Sequence, residues 1–120
     1  MCFNPNENVI YFTDSGKFEF GQCYPYNGSL YCLDLETKTV KPLLYKCLSH
    51  PNDVVYDNHT KSIYICETFA NNIIRVKTSN SGVLYTSVFY QFSGRLGPSS
   101  IAIDDQGNLF VARFEYSVSK

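Results

Sequence analysis

Three charged residues close short apolar runs in this chain: Asp14 follows VIYFT, Glu67 follows SIYIC and Arg113 follows NLFVA. Two carboxylates and a guanidinium gathered in one place could bind a polar small molecule or exchange protons with it. Left apart, they are ordinary solvated charges at strand ends. Asn52, in Pro51-Asn52-Asp53, carries a neutral amide with both a donor and an acceptor, and Ser99, in Pro98-Ser99-Ser100, carries a hydroxyl. An Asn ahead of a strand can equally serve as a turn residue, because its side chain bonds the backbone that follows.

Other chemistries are poorly represented. Neither His50 nor His59 stands in a nucleophile-base arrangement, no G-x-S-x-G is present, and no Gly-rich loop opens a helix. The five cysteines, Cys2, Cys23, Cys32, Cys47 and Cys66, are odd in number, and no two have C-x-x-C spacing. Cys32 and Cys66 fall inside apolar strand patterns, where a free Cys acts as a small buried hydrophobe.

The elements that must position these residues are β-strands. Segments 9–13, 29–35, 39–45, 53–57, 62–67, 72–78, 83–91, 100–104 and 108–113 are short, rich in β-branched and aromatic residues, and bounded by Gly, Pro, Asn or Asp. No window sustains a helical period. Three copies of one pattern overlay: NPNENVIYFTDSG, PNDVVYDNHTKSIYICET and PSSIAIDDQGNLFVARF, with Phe12, Ile65 and Val111 at equivalent places. GSLYCLDLETKTVKPLLY likewise matches NNIIRVKTSNSGVLYTSVF. The repeating unit is a four-stranded antiparallel meander, which makes the chain all-β and its units β-propeller blades. An immunoglobulin-like sandwich would not explain the repeat.

The expected layout is a partial blade at 1–49 that starts with its second strand, a complete blade at 50–92 and a partial blade at 93–120. That is about two and a half blades, against roughly four to eight in a closed ring. The expectation is an incomplete ring that needs further blades, or self-association, to cover its open faces. The meander puts Asn52, Glu67, Ser99, Arg113 and Asp14 at one end of the blades, near the axis. Asp14, Glu67, Ser99 and Arg113 are therefore expected on the face that meets substrate, with the aromatic 14–28 loop as a lid.

Formal net charge is -1, so no basic field attracts nucleic acid or an anionic membrane. No apolar run has the roughly 18 residues of a spanning helix, and MCFNPNENV lacks the regions of a signal peptide. With Met1 as a native start, the expectation is a cytoplasmic chain. Asn27-Gly-Ser and Asn58-His-Thr would become glycan acceptors only in the secretory path.

PNDVVYDNHTKSIYICETFANNIIRV, followed by GPSSIAIDDQGNLFVARF, resembles the six-bladed propellers of the senescence-marker-protein, gluconolactonase and luciferin-regenerating-enzyme-like family. YFTDSG and ICET are also similar to its strictosidine-synthase-like branch, and IAIDDQGNLFVA shares the rhythm of NHL repeats. The resemblance covers nearly the whole chain as an internal part of such a ring. It implies a lactone or ester hydrolase with a divalent cation, usually calcium, held by oxygens in the axial channel. Asn52 matches the Asn metal ligand, although Asp53 stands where the family has Gly. Ser99 stands where it has a ligand Asp, which removes a negative charge. The strictosidine-synthase-like branch implies a metal-free enzyme instead. Two readings follow: a small-molecule hydrolase, or a non-catalytic scaffold for a protein or peptide.

Overall fold

The computed structural model describes residues 1–16, 18–19, 22–23, 27–78, 82–94 and 97–113. Among them are the strands β1 (Cys2–Asn4), β2 (Val9–Asp14), β3 (Phe18–Glu19), β4 (Gln22–Cys23), β5 (Gly28–Asp34), β6 (Thr39–Leu48), β7 (Pro51–Asp57), β8 (Ser62–Glu67), β9 (Asn72–Thr78), β10 (Leu84–Gln91), β11 (Pro98–Ile103) and β12 (Leu109–Arg113). The first sheet has the order β1-β2-β5-β6, the second β10-β9-β8-β7, and β11-β12 and β3-β4 form two-stranded sheets. All pairings are antiparallel.

The nine strands expected from sequence are present, and one expectation is corrected. The first sheet does not begin with its second strand: β1 pairs with β2 through Asn4–Val9. It is short, with three residues where its counterpart β7 has seven. Of the 14–28 loop expected as a lid, residues 17, 20–21 and 24–26 lie outside the described residues.

One local device builds the hairpins at the end of the sheets away from Asn52. The last residue of a strand, or the one just after it, turns its side chain back onto the loop: Asn4 accepts from the Asn6 N–H, Asp34 from Glu36, Asp57 from His59 and Asp104 from Gln106, at 2.9–3.0 Å. Backbone of positive φ then closes each turn, at Asn8 (56°), Lys38 (58°), Lys61 (58°) and Gly107 (85°). For the non-glycine residues this geometry costs about 1–2 kcal/mol, which the side chain-to-backbone bonds help to offset.

Packing between sheets explains why β8 is apolar without alternation. Its two faces are both covered. Ile63 and Ile65 pack with Val54 and Val76 against Val9, Tyr11, Leu30, Cys32 and Leu48 of the first sheet. Tyr64 and Cys66 face the other way, with Ile73, against Ile101 of β11. The spacing between sheets is tight where glycine permits it: a Cβ on Gly28 would overlap the Pro51 ring, and one on Gly97 would lie 2.6 Å from the Asn71 Cα. Among the described residues no helix is long and apolar enough to cross a membrane.

Candidate functional site

The inner strands β7 and β11 begin side by side, each with the same irregularity. Pro51 pairs with Glu67 and Asp53 with Cys66, so Asn52 has no partner on β8. Pro98 pairs with Arg113 and Ser100 with Ala112, so Ser99 has none on β12. Each is the extra residue of a β-bulge, a device that turns a side chain out of the alternation its strand would impose. Pro51 and Pro98 are fully buried and anchor the two bulges. Asn52 is exposed, and among the described residues its amide makes no hydrogen bond. Ser99 is half-buried, with its hydroxyl 3.4 Å from the Ala112 carbonyl oxygen.

Asp53, the residue after the bulge, is 27% exposed and reaches across to the next sheet. Its Oδ2 accepts from the Ile101 N–H at 3.0 Å and lies 3.4 Å from the Ser100 hydroxyl, while Oδ1 accepts from its neighbour Val54 N–H at 2.9 Å. The amino terminus lies 3.8 Å from Oδ1. Sequence reasoning registered Asp53 only as a departure from glycine. That departure was the available signal, since a carboxylate at an inner strand start needs a donor.

Hydroxyls at equivalent positions join the sheets at this end. Ser15 Oγ donates to the Pro51 carbonyl at 2.9 Å, and Thr68 Oγ1 donates to the Pro98 carbonyl at 2.6 Å. His50, at positive φ (52°), stacks on Phe69 with ring centroids 4.4 Å apart, and its carbonyl accepts from the Thr68 N–H. Burial lowers the His50 pKa.

The three charged residues singled out by sequence are each engaged separately. Asp14 is exposed and accepts from the Gly16 N–H at 3.0 Å. Glu67 is 4% exposed and faces the first sheet, where it accepts from the Ser49 N–H at 2.7 Å. It borders a cleft of about 350 Å³ whose lining includes Leu44, Leu48, Asn72 and Ile74. Burial raises its pKa, against the lowering effect of the Ser49 N–H and the Asn72 amide. Arg113 faces the second sheet, with its guanidinium 4.6 Å from the Phe92 ring centre and Nη2 donating to the Ser93 carbonyl. Glu67 and Arg113 thus hold the segments that lead into their own sheets, Ser49 ahead of β7 and Ser93 ahead of β11.

A hard divalent cation takes six or more oxygens, with carboxylates among them. At the bulges the oxygens are neutral, an amide at Asn52 and a hydroxyl at Ser99, and Asp53 is committed to β11. Among the described residues no three His, Cys, Asp or Glu side chains are grouped to hold a metal ion. These residues do not by themselves fit calcium.

Antiparallel four-stranded meanders packed face to face are the blades of a β-propeller. Comparison with known proteins supplies the family. A profile of the SMP-30/gluconolactonase/LRE-like region matches residues 16–118, and the chain belongs to that family. It is 31% identical over 111 residues to lactonase drp35 of Staphylococcus epidermidis (strain ATCC 12228 / FDA PCI 1200), covering 86% of this chain and 34% of the relative. Against lactonase drp35 of Staphylococcus haemolyticus (strain JCSC1435) it is 30% identical over 118 residues, covering 95% of this chain and 34% of the relative. A solved luciferin-regenerating enzyme superposes with a TM-score of 0.67 at 22% identity, over 93% of this chain and 37% of that one, which is a likeness of fold. The chain spans about a third of the length of these curated relatives.

Proposed function

We propose that these sheets belong to a closed propeller that hydrolyses a small lactone or ester at the axial end marked by Asn52. One observation carries the reading: Asn52 is a bulged, exposed residue at the start of an inner strand, with an amide that no described residue occupies. Likeness to lactonases over most of the chain supports it. In this role the Asn52 Nδ2–H donates to the carbonyl oxygen of the substrate. That bond strengthens as attack by water moves negative charge onto the oxygen, so it favours the transition state over the bound substrate. The base that activates the water comes from the rest of the ring, supplied by a longer chain or by further copies.

A protein- or peptide-binding scaffold is the competing reading, and it draws on the neutral Ser99 in place of a carboxylate. Hydrolysis of a γ- or δ-lactone by the closed ring, followed by acid release, separates the two. Asn52→Ala is expected to lower kcat by roughly a hundredfold, the loss typical of one oxyanion donor, with folding unchanged. A ring that hydrolyses no lactone, or an Asn52→Ala ring as active as the parent, overturns the proposal.

A further inference from the structure

We propose that Asp53 is a positioning residue: by holding β11 it sets Ser99 beside Asn52, so that the two bulged residues act as one hydrogen-bonding pair on an uncharged substrate. The inference rests on the functional reading above, and its structural half can be tested without it.

β7 and β11 belong to different sheets, and no ladder joins them. Their relative placement at the axis therefore comes from bonds outside the ladders: the Gly97 N–H to the Thr68 carbonyl and Thr68 Oγ1 to the Pro98 carbonyl hold the first residue of β11, and Asp53 holds the strand beyond its bulge. The Ile101 N–H is bonded to Asp53 Oδ2 at 3.0 Å, one residue beyond Ser100 and two beyond Ser99. The carboxylate cannot swing freely, because Oδ1 is bonded to the Val54 N–H of its own strand at 2.9 Å. One planar group is thus fixed to β7 by one oxygen and to β11 by the other, both at ordinary hydrogen-bond length. Asp53 immediately follows the Asn52 bulge, and Ile101 closely follows the Ser99 bulge, so the bond spans the two at close range. Position 100, which corresponds to Asp53 on β11, is a serine too short to repeat the link. Both residues it brings together are neutral, which suits a lactone carbonyl and ring oxygen better than an anionic substrate.

Amide hydrogen exchange tests the tie. In the wild-type chain the Ile101 amide is expected to exchange as slowly as ladder amides of β11; exchange as fast as an unpaired edge amide overturns the proposal without any variant. Asp53→Gly should speed Ile101 exchange at least tenfold and leave Ile65 and Val76 protected, and Asp53→Asn, which keeps an acceptor oxygen, should restore most of the protection. Unchanged Ile101 exchange in Asp53→Gly overturns the proposal. In the closed ring, Asp53→Gly should raise KM for lactone severalfold more than it lowers kcat, with Asp53→Asn close to wild type. Faster Ile101 exchange with unchanged kinetics in an active ring refutes the pairing of Asn52 with Ser99. Faster exchange in a ring that hydrolyses no lactone leaves the tie standing and removes the proposed function.

Discussion

At the junction of the first and second sheets, Ser15 donates to the Pro51 carbonyl, Glu67 holds the Ser49 N–H, and Leu30, Ile65 and Val76 are fully enclosed. At the junction of the second and third, Thr68 donates to the Pro98 carbonyl, Arg113 holds the Ser93 carbonyl, and Leu109 and Val111 are only partly buried against Tyr64, Cys66, Ile73 and Ile101. The hydroxyl bond keeps its form from one junction to the next. The charged tie reverses sign, an acceptor on an N–H in one and a donor on a carbonyl in the other. What the repeat specifies is the task, to hold the segment leading into the sheet, and either charge performs it if the backbone group is complementary. Charged residues at equivalent repeat positions are therefore structural ties as readily as they are site residues.

The core contrast should give the largest effect. Ile65→Ala empties a fully enclosed position and is expected to cost about 2–5 kcal/mol in urea denaturation, whereas Ile101→Ala, beside half-covered neighbours, should fall at or below the lower end of that range. Equal losses would show that the second junction is as closed as the first.

Next in size, the hydroxyl bonds should rank the junctions in the opposite order. Thr68→Val leaves the Pro98 carbonyl unpaired where Thr68 is only 3% exposed, at a cost of about 1–3 kcal/mol. Water can replace the half-buried hydroxyl in Ser15→Ala, for about 0.5–1.5 kcal/mol. A larger loss for Ser15→Ala would reverse the assignment of the more buried bond.

The smallest effect distinguishes the ties by pH. Burial raises the Glu67 pKa above its ordinary 4.5, so the folded chain binds that proton more tightly than the unfolded chain does. The contribution to stability is greatest below the ordinary value and declines as pH rises from there through the raised one. Glu67→Gln should therefore gain on the wild type between pH 4 and 7, while Arg113→Gln shows no matching trend because arginine stays charged throughout. A Glu67→Gln difference that is flat over this range would contradict the raised pKa.

Much of this architecture could be read in advance. The hairpin tips carry Asn or Asp at the strand end and Asn, Lys or Gly near the close of the turn, and these signals bounded the strands well. β1 was missed because three residues, CFN, are too few to show alternation. Asn52 could be placed at an inner strand start, but its bulge could not, since a bulge is a property of two paired strands. Asp53 looked like a lost glycine until its partner, Ile101, was beside it.

The all-β repeat, the family resemblance and the equivalence of Asp14, Glu67 and Arg113 are legible along the chain, because period and turn chemistry are local and recur. What those equivalent residues touch depends on the packed sheets. Strand parity and the packing of sheet on sheet turned Glu67 and Arg113 between the sheets, while two register skips left Asn52 and Ser99 at the axial strand starts.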